Sequence, residues 1–232
     1  MDGINNRNIV IYAFSVVLLS LIFIDSGLAA DMTESVDFVL DSLQGRYTGM
    51  TGFSADFKQT FLSAETGTSL EESGSLMIKK GGFMRWEYKE PEEKLFICDG
   101  NDCYLYIVEE KIVQVISLKN IDARSTPMLF LAGKGNLKMD FESELLNDKY
   151  STGSDPGFYR MKMKPKGEQE QFEYMIVMVD KKSFIIKRIL VVDLLGNQTD
   201  YLFDSIREIN APPDSKFRFT PPKGVEIVKI EE

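Results

Sequence analysis

From Phe53 onward the chain alternates apolar and polar residues again and again. Phe53, Ala55, Phe57 and Phe61 stand against Ser54, Asp56, Lys58 and Thr60, the period of a strand with one buried face. The same period returns in "SGSLMIKK", "MRWEYKE", "KLFIC", "CYLYIV", "KIVQVISL", "FYRMKMK", "FEYMIVMVD", "SFIIKRILVVD", "QTDYLFDSIRE" and "KFRFT". Between these stretches lie turn signals such as "DPG", "PKGEQE", "DKK" and "LGN", many short enough for hairpins. The pattern predicts an antiparallel meander of about eleven strands, too many for an open sheet to carry without curling. A closed or half-open barrel is the expected outcome.

Two segments break the period. "TESVDFVLDSLQGRY" places Val36, Val39, Leu40, Leu43 and Tyr47 on one helical face, with Thr33 or Ser35 as N-cap. In "DARSTPMLFLAGKGN", Ser125 or Thr126 can cap a short helix, Pro127 suits its first turn, Met128 to Ala132 is apolar, and Gly133 can end it. An apolar helix and a curved sheet with large inward residues satisfy each other when the helices cover the open side.

Composition narrows the function. The chain of 232 residues contains no histidine and has a formal net charge of −9. The charge argues against a nucleic-acid partner. The lack of histidine removes the commonest general base and metal ligand. No Gly-x-Ser-x-Gly elbow and no metal-ligand spacing is present, and acid pairs such as Glu92-Glu93 and Glu109-Glu110 would, if extended, point to opposite faces of a strand. The chain is therefore expected not to be an enzyme and to need no metal or cofactor.

Residues 1–30 carry Arg7, an apolar run from Ile9 to Ile24, and small residues at Gly27, Ala29 and Ala30. This is the layout of a secretory signal peptide, with a retained membrane anchor as the alternative, and it leaves residues 31–232 as one domain. No cysteine lies near the cut, so no lipid anchor is expected on the mature chain. Cys98 and Cys103 flank "DGND". A four-residue loop would set them opposite one another for a disulfide, whereas a two-residue Asp-Gly turn would leave two diagonal thiols.

The ordered series "FSADFKQTF", "GSLMIKK", "MRWEYKEP", "ICDGN", "VQV", "TPMLFLAG" and "FRFTPPKGVEIV" resembles the LolA family, from about Val36 to Ile227. The resemblance implies an incomplete antiparallel barrel of eleven strands, lidded by helices, whose apolar cavity accepts the acyl chains of lipoproteins in the periplasm. It implies a carrier that receives cargo from an inner-membrane ABC transporter and passes it to an outer-membrane lipoprotein receptor; a carrier whose cavity mouth must meet a partner is more simply a monomer. Members usually carry Arg-Pro, with the arginine holding the lid, where this chain has Lys80-Gly81. Lysine lacks the planar fork, so Lys80 is either a weaker lid-holding residue or an exposed lysine at a strand end.

On that reading Met84, Trp86 and Tyr88, with Phe53, Phe57, Leu76 and Ile78, line the cavity. Val36, Val39, Leu40, Leu43, Met128, Leu129, Phe130 and Leu131 form the lid. Eleven methionines supply adaptable apolar surface, though each singly suits ordinary core filling. A carrier or sensor of another lipid, such as a fatty acid or glycolipid, could use the same cavity.

Overall fold

The computed structural model describes residues 35–120, 127–146, 156–167 and 172–230. Helix α1 (Val36–Gly49) opens on Ser35, whose side chain accepts from the Phe38 amide at 3.2 Å. Of the two candidate caps, Ser35 is the one used; Thr33, like Ser125, Thr126 and the expected signal peptide, lies outside the described residues.

Strands β1 (Gly52–Leu62), β2 (Ser69–Lys79), β3 (Phe83–Glu90), β4 (Lys94–Asp99), β5 (Asp102–Ile107) and β6 (Ile112–Ser117) follow as successive hairpins. Short helices α2 (Pro127–Leu131) and α3 (Leu137–Asp140) interrupt the meander. It resumes with β7 (Phe141–Leu145), β8 (Phe158–Pro165), β9 (Phe172–Asp180), β10 (Ile186–Asp193) and β11 (Gln198–Glu208), and β12 (Glu226–Lys229) ends it.

All twelve strands form one sheet in the order β12-β6-β5-β4-β3-β2-β1-β11-β10-β9-β8-β7. Every paired neighbour is antiparallel except β12, which runs parallel to β6. The sheet does not close on itself, so the fold is the expected half-open antiparallel barrel covered by an N-terminal helix and short central helices, with one strand more than expected.

Three local differences account for the strand count. "KFRFT" forms no strand: a 3-10 turn, Asp214–Phe217, buries Phe217 against Phe83 at 5.6 Å, and Phe219 lies against Tyr104 and Tyr106. Pro212-Pro213 and Pro221-Pro222 bracket this segment and cannot donate to a ladder. The sequence reading missed β7, where Ser143 interrupts the apolar alternation, and β12, where all four residues are exposed.

The inner face of the sheet holds the core. Phe53, Ala55 and Phe57 of β1, Leu76 and Ile78 of β2, and Met84 and Trp86 of β3 share one buried cluster with Val39, Leu40, Leu43 and Tyr47 of α1 and with Leu129, Phe130 and Leu131 of α2. The Tyr47 ring meets Phe53 and Phe130 at 6.0 and 5.3 Å, and its hydroxyl accepts from the buried Ile186 amide at 3.2 Å. α1 is also tied to α3, because Gln44 Oε1 accepts from the Leu137 amide at 3.0 Å.

Candidate functional site

Glycine at one position shapes the site. Gly74 of β2 pairs with Phe57 on one side and Tyr88 on the other. Because it has no side chain, those two rings meet edge to face with centroids 4.9 Å apart. A Cβ at Gly74 would lie 1.9 Å from the Glu87 carbonyl oxygen, so no other residue fits without moving backbone. Trp86 completes the aromatic group, with its centroid 4.9 Å from Phe57, 5.9 Å from Tyr201 and 6.2 Å from Phe203.

Beside this group lies a cavity of about 330 Å³, lined by Trp86, Tyr88, Phe96, Leu105, Tyr201 and, from α2, Met128. Its remaining lining is polar: Gln59, Glu72 and Lys94. Glu72 is 6% exposed and forms an ion pair with Lys94. It also accepts from Gln59 Nε2 at 2.9 Å, while Gln59 Oε1 accepts from the Tyr88 hydroxyl at 3.0 Å. Lys94 Nζ sits 5.3 Å from the centre of the Tyr88 ring, within cation–π reach.

Burial, with a smaller push from the Glu72 carboxylate, raises the Tyr201 phenol to about 12. The Tyr88 phenol is raised further, by burial first, then by Tyr201 and Glu72. Both phenols therefore remain protonated at neutral pH. The arrangement is a hydrocarbon wall with one polar corner, suited to holding an amphiphile.

Of the residues read from the sequence as cavity lining, Trp86 and Tyr88 line this cavity. Phe53, Phe57, Leu76, Ile78 and Met84 pack behind it in the core cluster. Of the residues read as lid, Val39, Leu40, Leu43, Leu129, Phe130 and Leu131 are buried in that cluster, Val36 and Met128 pack against it half-buried, and Met128 reaches the cavity. Met50, Met84, Met161, Met163 and Met175 lie in the cluster, whereas Met139 is 73% exposed.

Sequence reasoning missed Gln59, Glu72, Lys94, Phe96, Leu105 and Tyr201. A signal for Glu72 was present, since it stands in phase with Gly74, Leu76 and Ile78 on β2. Cys98 and Cys103 pair directly across the β4–β5 hairpin and are joined by a disulfide, Cα to Cα 4.0 Å. Asp99 holds the turn through Gly100 and Asn101 by accepting from the amides of Asn101 and Asp102, each at 2.9 Å.

The family model described as "Outer membrane lipoprotein carrier protein LolA" matches residues 48–220. The chain belongs to the LolA family. Among curated relatives of this family, the outer-membrane lipoprotein carrier protein of Chromobacterium violaceum is 29% identical over 91% of this chain and 96% of its own. That of Pseudomonas putida is 30% identical over 75% of this chain and 80% of its own. An uncharacterized conserved protein from Thermus thermophilus shares the fold, with a TM-score of 0.52 at 12% identity, covering 84% of this chain and 98% of its own.

The departure from the usual LolA-family Arg-Pro has a structural counterpart. Lys80 Nζ donates to the Thr48 carbonyl, near the C-terminal end of α1, at 3.0 Å. Gly81 and Gly82 donate their amides to the Ala132 carbonyl, just after α2, at 3.0 and 3.2 Å. Gly81 has φ +102, which proline cannot adopt, and proline would have no amide to give. One turn after β2 thus bonds to both helices, exchanging a guanidinium fork for a single ammonium and two backbone donors.

Proposed function

We propose that this protein is a periplasmic carrier that hides the acyl chains of lipoproteins while they cross from the inner to the outer membrane. The observation that carries the reading is the cavity between the Trp86–Tyr88 wall and Met128 of α2. Each buried CH₂ contributes about 0.8 kcal/mol, so a chain of about 14 carbons prefers such a site to water by roughly 10 kcal/mol. An acylated protein cannot cross an aqueous gap unaided against that figure. At about 330 Å³ the cavity is small for several chains, so loading moves α1 and α2 outward from the sheet.

In this reading Lys80 and the Gly81–Gly82 amides hold the helices in the closed position. Chains bind by favouring the open state, and release follows when a partner's cavity binds them better. An inner-membrane ABC transporter supplies the cargo and an outer-membrane lipoprotein receptor takes it. A monomer suits this role, because the cavity mouth must meet each partner in turn. No step makes or breaks a covalent bond.

Mass spectrometry of lipids extracted from protein purified without detergent tests the proposal. Recovered lipopeptides or intact lipoproteins are the expected result. Recovery of free fatty acids or glycolipids alone would replace lipoprotein carriage with carriage of those lipids.

A further inference from the structure

Glu72 is the one charged side chain among the described residues that is buried. A wall built only for hydrocarbon has no use for it, since a buried carboxylate loses hydration that its partners must replace. Its ion pair with Lys94 faces the same cavity as the Trp86 indole. Lys94 Nζ carries three donors, and Glu72 takes one of them. The cavity thus combines apolar walls with two unused Lys94 donors, and an acceptor on a bound amphiphile would satisfy them.

We propose that this corner binds the neutral acyl carbonyls, ester or amide, at which the chains of a lipoprotein join its lipid-modified end, and that Glu72 discriminates against free fatty-acid carboxylates. The inference rests on the carrier reading above and adds the part of the ligand that is recognised. Lys94 donates to a carbonyl oxygen while the chains run along Phe96, Leu105 and Met128. A fatty-acid carboxylate at the same place would also be drawn to Lys94, but it would make two carboxylates share one ammonium and leave a net negative charge in a poorly hydrated site. A neutral carbonyl offers the acceptor without that charge. Tyr88 and Tyr201, protonated at neutral pH, add no charge to the wall.

The test compares two ligands of equal chain length for displacement of an apolar fluorescent dye from the full protein. One is a dipalmitoylglyceryl-cysteine peptide; the other is its dihexadecyl ether counterpart, which lacks the carbonyls. The expected result is about tenfold tighter binding of the ester, the difference that one or two charge-assisted bonds provide. The margin should shrink to about twofold or less when Glu72→Gln and Lys94→Met are combined, a pair chosen so that neither charge is left buried alone. Palmitate should displace the dye more weakly than methyl palmitate, and Glu72→Gln should narrow that gap.

Equal affinities of ester and ether for the wild-type protein would overturn the proposal while leaving the carrier reading standing, because both ligands would have bound. Failure of both to displace the dye would defeat the carrier reading, and this inference with it. The wild-type comparison needs no variant, so it decides the matter even if the substituted proteins fail to fold.

Discussion

At the scale of single residues, the turn after β2 separates what sequence reading reaches from what it does not. Lys80 could be singled out because its position matches a residue of the family pattern, but its bond to Thr48 O depends on where α1 ends. The glycine beside it reads as a simple loss of proline until the two amides bonded to Ala132 O come into view. Gly81→Pro, a change toward the usual family sequence, should therefore destabilise this protein by more than about 1 kcal/mol in a urea titration, since the native φ does not suit proline. A neutral or stabilising result would mean that the turn re-forms around the ring. Lys80→Met should speed entry of an apolar dye in stopped-flow mixing, and an unchanged rate would show that Lys80 does not restrain α1.

At the scale of elements, period two is a local signal, so strands whose buried face is apolar throughout were legible from their own residues, whereas β7, with Ser143 on that face, was not. The failures have physical causes. "KFRFT" alternates like a strand, but its two phenylalanines fill gaps against Phe83 and Tyr104 from a proline-bracketed strap. β12 has no buried face to leave a period. Glu72 was hidden for a different reason: an acid on the inner face of a strand makes sense only once Lys94, two strands away in the sheet order, is known to reach it. Gly74 shows the same dependence, its role emerging only from the two neighbours that bring Phe57 and Tyr88 together. Gly74→Val should cost about 3 kcal/mol or more in chemical denaturation, above the usual overpacking cost because the clash is with backbone. A cost near zero would show that β2 and β3 separate there without penalty.

At the scale of the whole molecule, buried phenols couple stability to pH. Tyr47, Tyr88 and Tyr201 all titrate above their ordinary value in the folded chain, chiefly because burial disfavours the phenolate. In the unfolded chain they ionise near pH 10. Their contribution is therefore complete below about pH 10 and is lost as the pH rises toward and through the folded values, since the unfolded state then releases the protons. Denaturation midpoints should fall between about pH 10 and 12, less steeply for Tyr201→Phe. An identical slope in that variant would show that Tyr201 is not buried in the folded state.

The central claim is that the wall around Trp86 receives acyl chains, and the chain's single tryptophan makes it directly observable. The deciding measurement is quenching of Trp86 emission by a triacylated lipopeptide whose chains carry bromine at mid-length, with the unbrominated peptide as control. Saturable quenching by the brominated peptide, reversed by excess control peptide, is the expected result. Binding of both peptides without any quenching would place the chains away from Trp86 and overturn its role as the wall of an acyl-chain site.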